Sequence, residues 1–134
     1  MKLTLLSAAD LRAALPMPAA IAAMKAAFAE LSTGRALTPL RTALAVPPAE
    51  GLALFMPAYL PGGGLGAKIV SVFPRNPQLG KPMIHGLVVL LDPDSGEPLA
   101  LCDGTFLTAW RTGAGSGAAT DLLARPEAKT AALL

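Results

Sequence analysis

Apolar residues near the amino terminus recur at spacings of three and four, which predicts helices. A first helix starts at Ser7, where Asp10 follows three residues later in the pattern of a capping box, and it extends to about Leu15. A second helix carries Pro18 in its first turn, where the missing N–H costs nothing, and Gly34 is its expected end. The apolar stripe of this second helix comprises Ile21, Met24, Phe28 and Leu31.

The middle of the chain changes to short β-rich runs separated by Pro and Gly residues. Five strands are predicted, at residues 41–46, 51–59, 65–73, 84–91 and 99–102. Between the last two strands, Pro93 fixes φ and Gly96 allows a positive φ, so a hairpin turn is expected there. Residues 74–82 hold three prolines and are predicted to form an ordered but irregular loop.

A third helix is predicted from about Thr105 to Leu123 or Ala124, and Pro126 stops it. Residues 129–134 have the pattern of a buried strand, and the chain ends within that run. We therefore expect either a truncation or a strand completed elsewhere. Helices on both sides of a series of strands predict an α+β fold with a mixed or antiparallel sheet.

Composition narrows the class of protein. The 134 residues are 53% apolar and 15% charged, which excludes a disordered chain, and the single Cys102 excludes a disulfide scaffold. The most apolar stretch, residues 86–91, is much shorter than the roughly twenty residues of a membrane span, and no secretory signal is evident. We expect a cytoplasmic protein with no membrane partner. So few charges also favour a buried subunit or domain interface.

Charge and aromatic content argue against a nucleic-acid partner. The net charge is only +2, basic residues are scattered singly, and the 4% of aromatic residues offer few platforms for base stacking. No second Cys or His stands at metal-ligand spacing from His85 or Cys102, so no metal site is expected. His85 fits either a general acid or a structural residue, and Cys102 is expected in the core.

Residues 113–118, Gly-Ala-Gly-Ser-Gly-Ala, match the dinucleotide-binding pattern G-x-G-x-x-G/A. That pattern cradles a pyrophosphate only where it directly follows a strand and opens a helix. Residues 107–112 before it are not β-rich, so we favour a helix whose small residues let another backbone approach closely. Close packing would have to offset up to about 1 kcal/mol per glycine relative to alanine.

Three basic residues lie in or beside apolar elements. Arg41 begins a predicted strand, Lys68 lies within one, and Arg111 lies in the third helix. Burying an unpaired charge is costly, so these side chains need solvent, a partner or a ligand. Ion pairs with acids such as Asp103 and Asp121, which are near Arg111 in the sequence, are one possibility. A common site for a carboxylate or phosphate is the other.

Several motifs, taken in order, resemble the ornithine cyclodeaminase/mu-crystallin family over nearly the whole chain. The segments that carry the resemblance are residues 65–74 with Asn76, then 82–86, 92–96, 101–104, 108–112 and 122–126. Each segment alone is weakly specific, whereas their combination and spacing are specific.

The resemblance implies a two-domain enzyme. Residues 1–126 correspond to the amino-terminal part of a substrate-binding domain that dimerises through its sheet, so a homodimer is expected. Residues 127–134 correspond to the first strand of a Rossmann domain that binds NAD(H) or NADP(H). The family's glycine fingerprint, catalytic aspartate and carboxyl-terminal return segment are not among these 134 residues. We therefore expect an amino-terminal piece that is inactive alone and binds no cofactor.

The resemblance also implies roles for four residues. Arg41, Lys68 and Arg111 match the family's carboxylate-binding cations, which would hold the α-carboxylate of a small amino or imino acid. Thr112 matches a position near the cofactor pyrophosphate, where its hydroxyl and amide would contact phosphate. The catalytic residue is expected beyond Leu134.

A departure from the family pattern bears on the reaction. Cyclodeaminases carry a Glu just before a Met-Pro pair, whereas Leu54 and Phe55 occupy that stretch here. Residues 56–59 and His85 are more similar to ketimine reductases, including pyrroline-2-carboxylate reductases. We predict NAD(P)H-dependent reduction of a cyclic imino acid to L-proline or a homologue. The alternatives are an ornithine cyclodeaminase or amino-acid dehydrogenase, and a non-enzymatic dimerisation or binding module.

Overall fold

The computed structural model describes residues 2–132 and has the α+β architecture expected from the sequence. Along the chain the elements are β1 (Thr4–Leu6), α1 (Ala8–Ala14), α2 (Met17–Ser32), β2 (Thr42–Val46), β3 (Gly51–Leu60), β4 (Gly64–Val72), β5 (Ile84–Leu91), β6 (Pro98–Asp103) and α3 (Gly104–Leu123). Short 3-10 turns occupy Pro47–Ala49 and Asn76–Leu79. The three predicted helices are confirmed, and the five predicted strands agree with β2 to β6 to within one residue at each end.

The strands form one mixed sheet in the order β1-β6-β5-β4-β3-β2. From β2 to β6, each strand pairs antiparallel with the next one along the chain, as short connections require. Strand β1 lies at the edge, parallel to β6, with Thr4 opposite Ala100. The sequence does not predict β1, because three residues are too few to show an alternating pattern. This strand forms because the edge of β6 offers it hydrogen bonds.

The predicted start of α1 is confirmed. The Ser7 hydroxyl accepts a hydrogen bond from the Asp10 amide at 3.3 Å, and the Asp10 carboxylate accepts one from the Ser7 amide at 2.9 Å. These two bonds satisfy amides that have no partner inside the helix. Helix α2 begins with Pro18 in its first turn, also as predicted.

An indole ties α3 to the junction between α1 and α2. Trp110 donates its Nε1–H to the Leu15 carbonyl at 2.9 Å. The Arg12 guanidinium lies 5.0 Å from the centroid of the Phe106 ring and 5.3 Å from that of Trp110, within the range of cation–π attraction. These contacts fix the first half of α3 against the helices that precede the sheet.

The small residues 113–118 lie inside α3, and the three glycines among them approach side chains of α2, so the interpretation as a close-packing helix is confirmed. A Cβ atom at Gly117 would come within 2.7 Å of the Ile21 side chain, and one at Gly115 within 3.8 Å of Phe28. The Lys25 ammonium also pairs with the Asp121 carboxylate between the two helices. The amides of these glycines lie within the helix, so they do not form a phosphate-binding loop.

A second close contact, between the backbones of α3 and β5, places α3 directly on the sheet. Strand β6 turns directly into α3 at Gly104, which is buried against the backbone of β5. A Cβ atom at Gly104 would lie 2.5 Å from the Leu87 nitrogen, and one at Gly86 would lie 2.7 Å from the Gly104 carbonyl carbon. The Gly86 amide also donates to the Thr105 hydroxyl at 2.9 Å. Only glycine permits this contact between backbones.

The sheet has one covered face and one open face. Helix α3 lies across β5 and touches β4 and β6, while α1 contacts β6. Alternate side chains point to opposite faces, and the buried Val70, Ala100 and Cys102 lie on the covered face, which confirms that Cys102 belongs to the core. The open face carries exposed apolar side chains at Leu5, Leu44, Phe55, Tyr59, Ile69 and Leu87.

The strand predicted at residues 129–134 lies partly outside the described range. Residues 129–132 are exposed and form no regular element, and residues 133 and 134 are not described. No strand within residues 2–132 pairs with them.

None of the described helices is, by itself, long and apolar enough to cross a membrane. Helices α1 and α2 meet that requirement only when taken together, and the chain bends by 83° between them.

The contact between Gly104 and β5 generates a stability prediction. We expect Gly104→Ala to lower the free energy of unfolding by about 1–3 kcal/mol or more, because the added methyl group overlaps backbone that cannot move away. Gly113→Ala in the same helix is the matched control, since its Cβ would meet only Met17 Cε at 3.8 Å. It should be neutral or gain up to about 1 kcal/mol from helix propensity. Urea denaturation followed by circular dichroism measures both, and equal effects would contradict the assignment.

Candidate functional site

The strands place two of the predicted site residues on the covered face. Lys68 in β4 lies opposite Met56 in β3 on one side and Val88 in β5 on the other. Arg41 directly precedes β2, where the β2–β3 register, extended by one residue, sets it opposite Met56. Arg41, Met56, Lys68 and Val88 therefore form one row across the sheet, which we call the cation row.

Helix α3 brings the third residue to the same place. Arg111 lies two turns into α3, the helix that contacts β5 and β4. Its positive charge acts on Lys68, as does that of Arg41. The structure thus brings together Arg41, Lys68 and Arg111, which are distant in sequence.

Arg41 and Arg111 are exposed, whereas Lys68 between them is half-buried, so the electrostatic cost of the cluster falls on Lys68. Burial, and then the positive charges of Arg111 and Arg41, lower the pKa of the Lys68 ammonium below its ordinary value. Burial disfavours the charged form, and neighbouring like charges do the same. An anion bound among the three cations would favour the charged ammonium and so oppose these effects.

Acidic side chains do not neutralise the three cations within the described part of the chain. The ion pairs found there are Lys25–Asp121, Arg35–Glu30 and Arg125–Glu127. Asp103 accepts a hydrogen bond from the Phe106 amide as the cap of α3. The two acids considered as partners of Arg111 are therefore engaged elsewhere, which removes the ion-pair alternative for this residue.

A groove of about 390 Å³ lies beside Arg41 and Lys68, and Arg111 is not among its lining residues. It is lined by Thr38, Pro39, Leu40, Arg41, Met56, Pro57, Ala58 and Lys68. Its wall is mostly apolar, with two positive groups from one side, an arrangement that suits a small organic acid. Guanidinium and ammonium groups would bind the carboxylate by charge-assisted hydrogen bonds.

Thr112 lies next to Arg111 and is exposed. Its hydroxyl donates to the Thr108 carbonyl at 2.7 Å. Its amide lies in the interior of α3, where the helix ladder uses it, so the expected amide contact to phosphate has no free donor. Only the hydroxyl remains for a phosphate oxygen, and it would have to leave Thr108 to donate.

The strand register also shows which face of the sheet carries the other residues that the sequence analysis singled out. His85 pairs with Ser71 and lies on the open face, away from the cation row. Leu54 lies on the covered face, opposite Val70, whereas Phe55 lies opposite Ile69 on the open face. Of the two residues at the cyclodeaminase Glu stretch, only Leu54 faces the side of the sheet that carries the cations.

Sequence reasoning did not single out the apolar floor around Lys68. Met56, Ala58 and Val88 line grooves next to the ammonium. The alternation along β3 and β4 would have placed Met56 and Ala58 on one face, but only the strand register shows that this face also carries Lys68.

Comparisons with known proteins identify the family of the chain. The sequence model described as the ornithine cyclodeaminase/mu-crystallin family matches residues 1–134. A Delta(1)-pyrroline-2-carboxylate reductase from Bacillus cereus is 44% identical over 130 residues, which is 96% of this chain and 40% of that protein. The chain therefore spans about 40% of the length of this relative.

Two solved structures have the same fold. Delta(1)-pyrroline-2-carboxylate reductase from Thermococcus litoralis, in complex with NADH and L-proline, superposes with a TM-score of 0.85 at 45% identity, over 94% of this chain and 39% of that one. An archaeal alanine dehydrogenase dimer with bound NAD gives a TM-score of 0.86 at 35% identity, over 95% of this chain and 39% of that one.

The charge cluster generates a prediction about pH. The pKa of Lys68 is lowered on folding, so the unfolded chain binds more protons between the folded and unfolded pKa values, and stability rises with pH through that window. Lys68→Met should remove this rise and increase the melting temperature at neutral pH. Lys81→Met, an exposed lysine in the β4–β5 loop, is the control and should keep the rise. Thermal melts between neutral and alkaline pH measure it. A rise that persists in Lys68→Met would contradict the cluster.

Proposed function

Because the chain belongs to the ornithine cyclodeaminase/mu-crystallin family, we propose that it serves an NAD(P)H-dependent reductase of cyclic imino acids such as pyrroline-2-carboxylate. In this proposal residues 1–126 form the domain that binds substrate and dimerises, and residues 127–134 begin the nucleotide-binding domain. The similarity to two pyrroline-2-carboxylate reductases, one of them in complex with NADH and L-proline, supports this choice.

The observation that carries the proposal is the unneutralised trio Arg41, Lys68 and Arg111. Arg111 and Arg41 both disfavour the charged form of Lys68, an effect that a bound carboxylate would oppose, and two guanidinium forks with one ammonium suit its two oxygens. Since the cations approach from two strands and a helix, they would fix the orientation of the acid as well as its position. Such positioning is a large part of catalysis for two bound reactants.

The reduction needs a hydride, which NAD(P)H supplies when it is bound. The three cations of this chain would hold the carboxylate so that the adjacent imine carbon stays in one place. The apolar lining of the groove would exclude water from that carbon. The residue that handles the proton lies, in this proposal, beyond Leu134.

The described residues provide few contacts for the phosphates of a nucleotide. The Thr112 hydroxyl fits one contact to a phosphate oxygen, while the glycines of α3 form no phosphate loop. We therefore expect the 134-residue chain to bind a carboxylate and not to oxidise NADPH. A cytoplasmic location stays a prediction.

Two alternatives remain distinct from this proposal. An ornithine cyclodeaminase or amino-acid dehydrogenase would bind the carboxylate with the same three cations. A deaminase for a diamino acid would need an acidic group on the covered face, where Leu54 and Met56 stand instead. A non-enzymatic module would dimerise without turning over any imino acid.

We further propose that the open face of the sheet forms a homodimer interface. Its exposed side chains include Leu44, Phe55, Ile69 and Leu87 on four neighbouring strands. A contiguous apolar surface of this kind is typical of subunit interfaces, and the archaeal relative is described as a dimer.

A chimera tests the reaction. Residues 1–134 would replace the matching part of the Bacillus cereus reductase, which supplies a nucleotide-binding domain. We expect NADPH oxidation with pyrroline-2-carboxylate, and a loss of about 10- to 100-fold in kcat/KM for Lys68→Met or Arg111→Met, since a hydrogen bond to a charged group contributes about 1.5–3 kcal/mol. Lys81→Met should retain activity, and NADH binding reports that each chimera is folded. Conversion of ornithine without reduction of pyrroline-2-carboxylate would reverse the choice.

Ile69→Lys tests the dimer. The substitution places a charge at the centre of the open face, where the side chain is already 37% exposed, so a monomer should tolerate it and a dimer should dissociate. Leu79→Lys, at a 68% exposed position in the β4–β5 loop, is the control and should stay dimeric. Analytical ultracentrifugation measures the mass of each. A parent chain that sediments as a monomer, or an Ile69→Lys variant that remains dimeric, would exclude this interface.

A further inference from the structure

We propose that the Lys68 amine forms a reversible imine with small 2-oxo acids whose carboxylate binds to the neighbouring arginines. This inference rests on the proposed carboxylate site, and it adds a covalent modification that the reduction of an imino acid does not require. The chain contains five lysines, at positions 2, 25, 68, 81 and 129. Lys68 differs from the other four in its burial, its partners and the charges around it.

Lys68 combines partial burial with the absence of an acidic partner. It is half-buried in β4, and it takes part in none of the ion pairs found within residues 2–132. Lys25 is half-buried too, but its ammonium pairs with the Asp121 carboxylate. The lysines near the two termini and in the β4–β5 loop are exposed, and water stabilises their charge. Among the described lysines, Lys68 alone is therefore partly removed from water without a neutralising anion.

The two neighbouring arginines favour the neutral amine, which is the nucleophile in imine formation. Arg41 lies in the cation row with Lys68, separated from it by Met56, and the charge of Arg111 reaches Lys68 from α3. Burial and these two charges lower the pKa of Lys68, so more of its amine is neutral at neutral pH than in an exposed lysine. Lysines that are desolvated or lie next to another cation are activated as nucleophiles in the same way.

The same arginines select the carbonyl compound. A 2-oxo acid carries its carboxylate directly on the electrophilic carbonyl carbon. When the guanidinium groups of Arg41 and Arg111 bind that carboxylate by charge-assisted hydrogen bonds, the carbonyl carbon is held close to Lys68. A ketone or aldehyde without a carboxylate gains no such contact. The charges of the site therefore direct the modification toward 2-oxo acids.

The imine forms without an oxidant or a reductant. The Nζ atom of the neutral amine attacks the carbonyl carbon, and a C–N bond forms. The two protons of the amine are transferred to the carbonyl oxygen, which leaves as water when the C–O bond breaks. One water molecule reverses the reaction, and the mostly apolar groove beside Lys68 offers few polar groups to hold it. Until it hydrolyses, the imine would block the binding of an imino acid at this site.

Reductive trapping tests the proposal in the 134-residue chain. Pyruvate is the probe, and sodium cyanoborohydride supplies the hydride that converts the imine to a stable secondary amine. Methyl pyruvate, which has the same ketone but no charge, is the matched control compound. Peptide mapping by mass spectrometry measures the adduct at each lysine and at the amino-terminal amine. Excess acetate then shows which of these amines a bound carboxylate protects.

We expect pyruvate to modify Lys68 about tenfold more than Lys81, which is the scale of one charge-assisted hydrogen bond. Acetate should suppress the adduct at Lys68 alone, and methyl pyruvate should show a smaller preference for Lys68 because no arginine binds it. Arg111→Met should lower the pyruvate adduct at Lys68. Arg125→Met is the matched control, at an exposed position after α3, and should leave that adduct unchanged.

The outcomes separate the imine from the carboxylate site. Lys68→Arg keeps a cation but has no amine that can form an imine, so it should bind acetate, measured by NMR titration, and lose the adduct. If acetate binds to the parent chain but pyruvate modifies Lys68 no more than Lys81, the imine is excluded and the carboxylate site stands. A preference for Lys68 that is as large with methyl pyruvate would exclude the selection of 2-oxo acids. Failure of acetate to bind the parent chain, together with no preference of pyruvate for Lys68, would overturn both proposals.

Discussion

The close approach of two backbones at Gly86 and Gly104 determines the geometry of the site. Because neither residue has a side chain, the first turn of α3 rests directly on β5, and the helix continues across the sheet toward β4. This placement holds Arg111 over the face that carries Lys68. A helix standing even a methyl group further away would increase the distance between the charges and weaken their effect on a shared ligand.

The proposed carboxylate site would have a cost in stability. Three like charges on one face, with the nearby acids Asp103 and Asp121 engaged elsewhere, raise the energy of the unliganded protein. Ion pairs between these cations and acidic side chains would have lowered the free energy of the unliganded protein. They would also have left no positive charge to bind a ligand. Functional sites commonly carry such a local cost, which the rest of the fold has to offset.

The two faces of the sheet have different properties because side chains alternate along each strand. Lys68 points to the covered face, and its neighbour Ile69 points to the open one. The same strands can therefore supply polar groups for a ligand and an apolar surface for a subunit. This division also explains the composition, since an apolar second face requires more hydrophobic residues than one small core would bury.

The order of residues along the chain was enough to predict the three helices, five of the strands and a candidate anion site. The Ser7 capping box, the prolines, the turn before β6 and the period of each apolar run depend on neighbours a few residues away, so the pattern alone predicted them. The unpaired cations in apolar surroundings likewise indicated an anion site. The tertiary structure decided which residues meet. Strand β1 and the cation row exist only through pairing between distant segments, and the position of Arg111 depends on the glycine contact that places α3 on the sheet. Such contacts depend on register and packing, which are properties of several elements together and leave no local signal in any one of them.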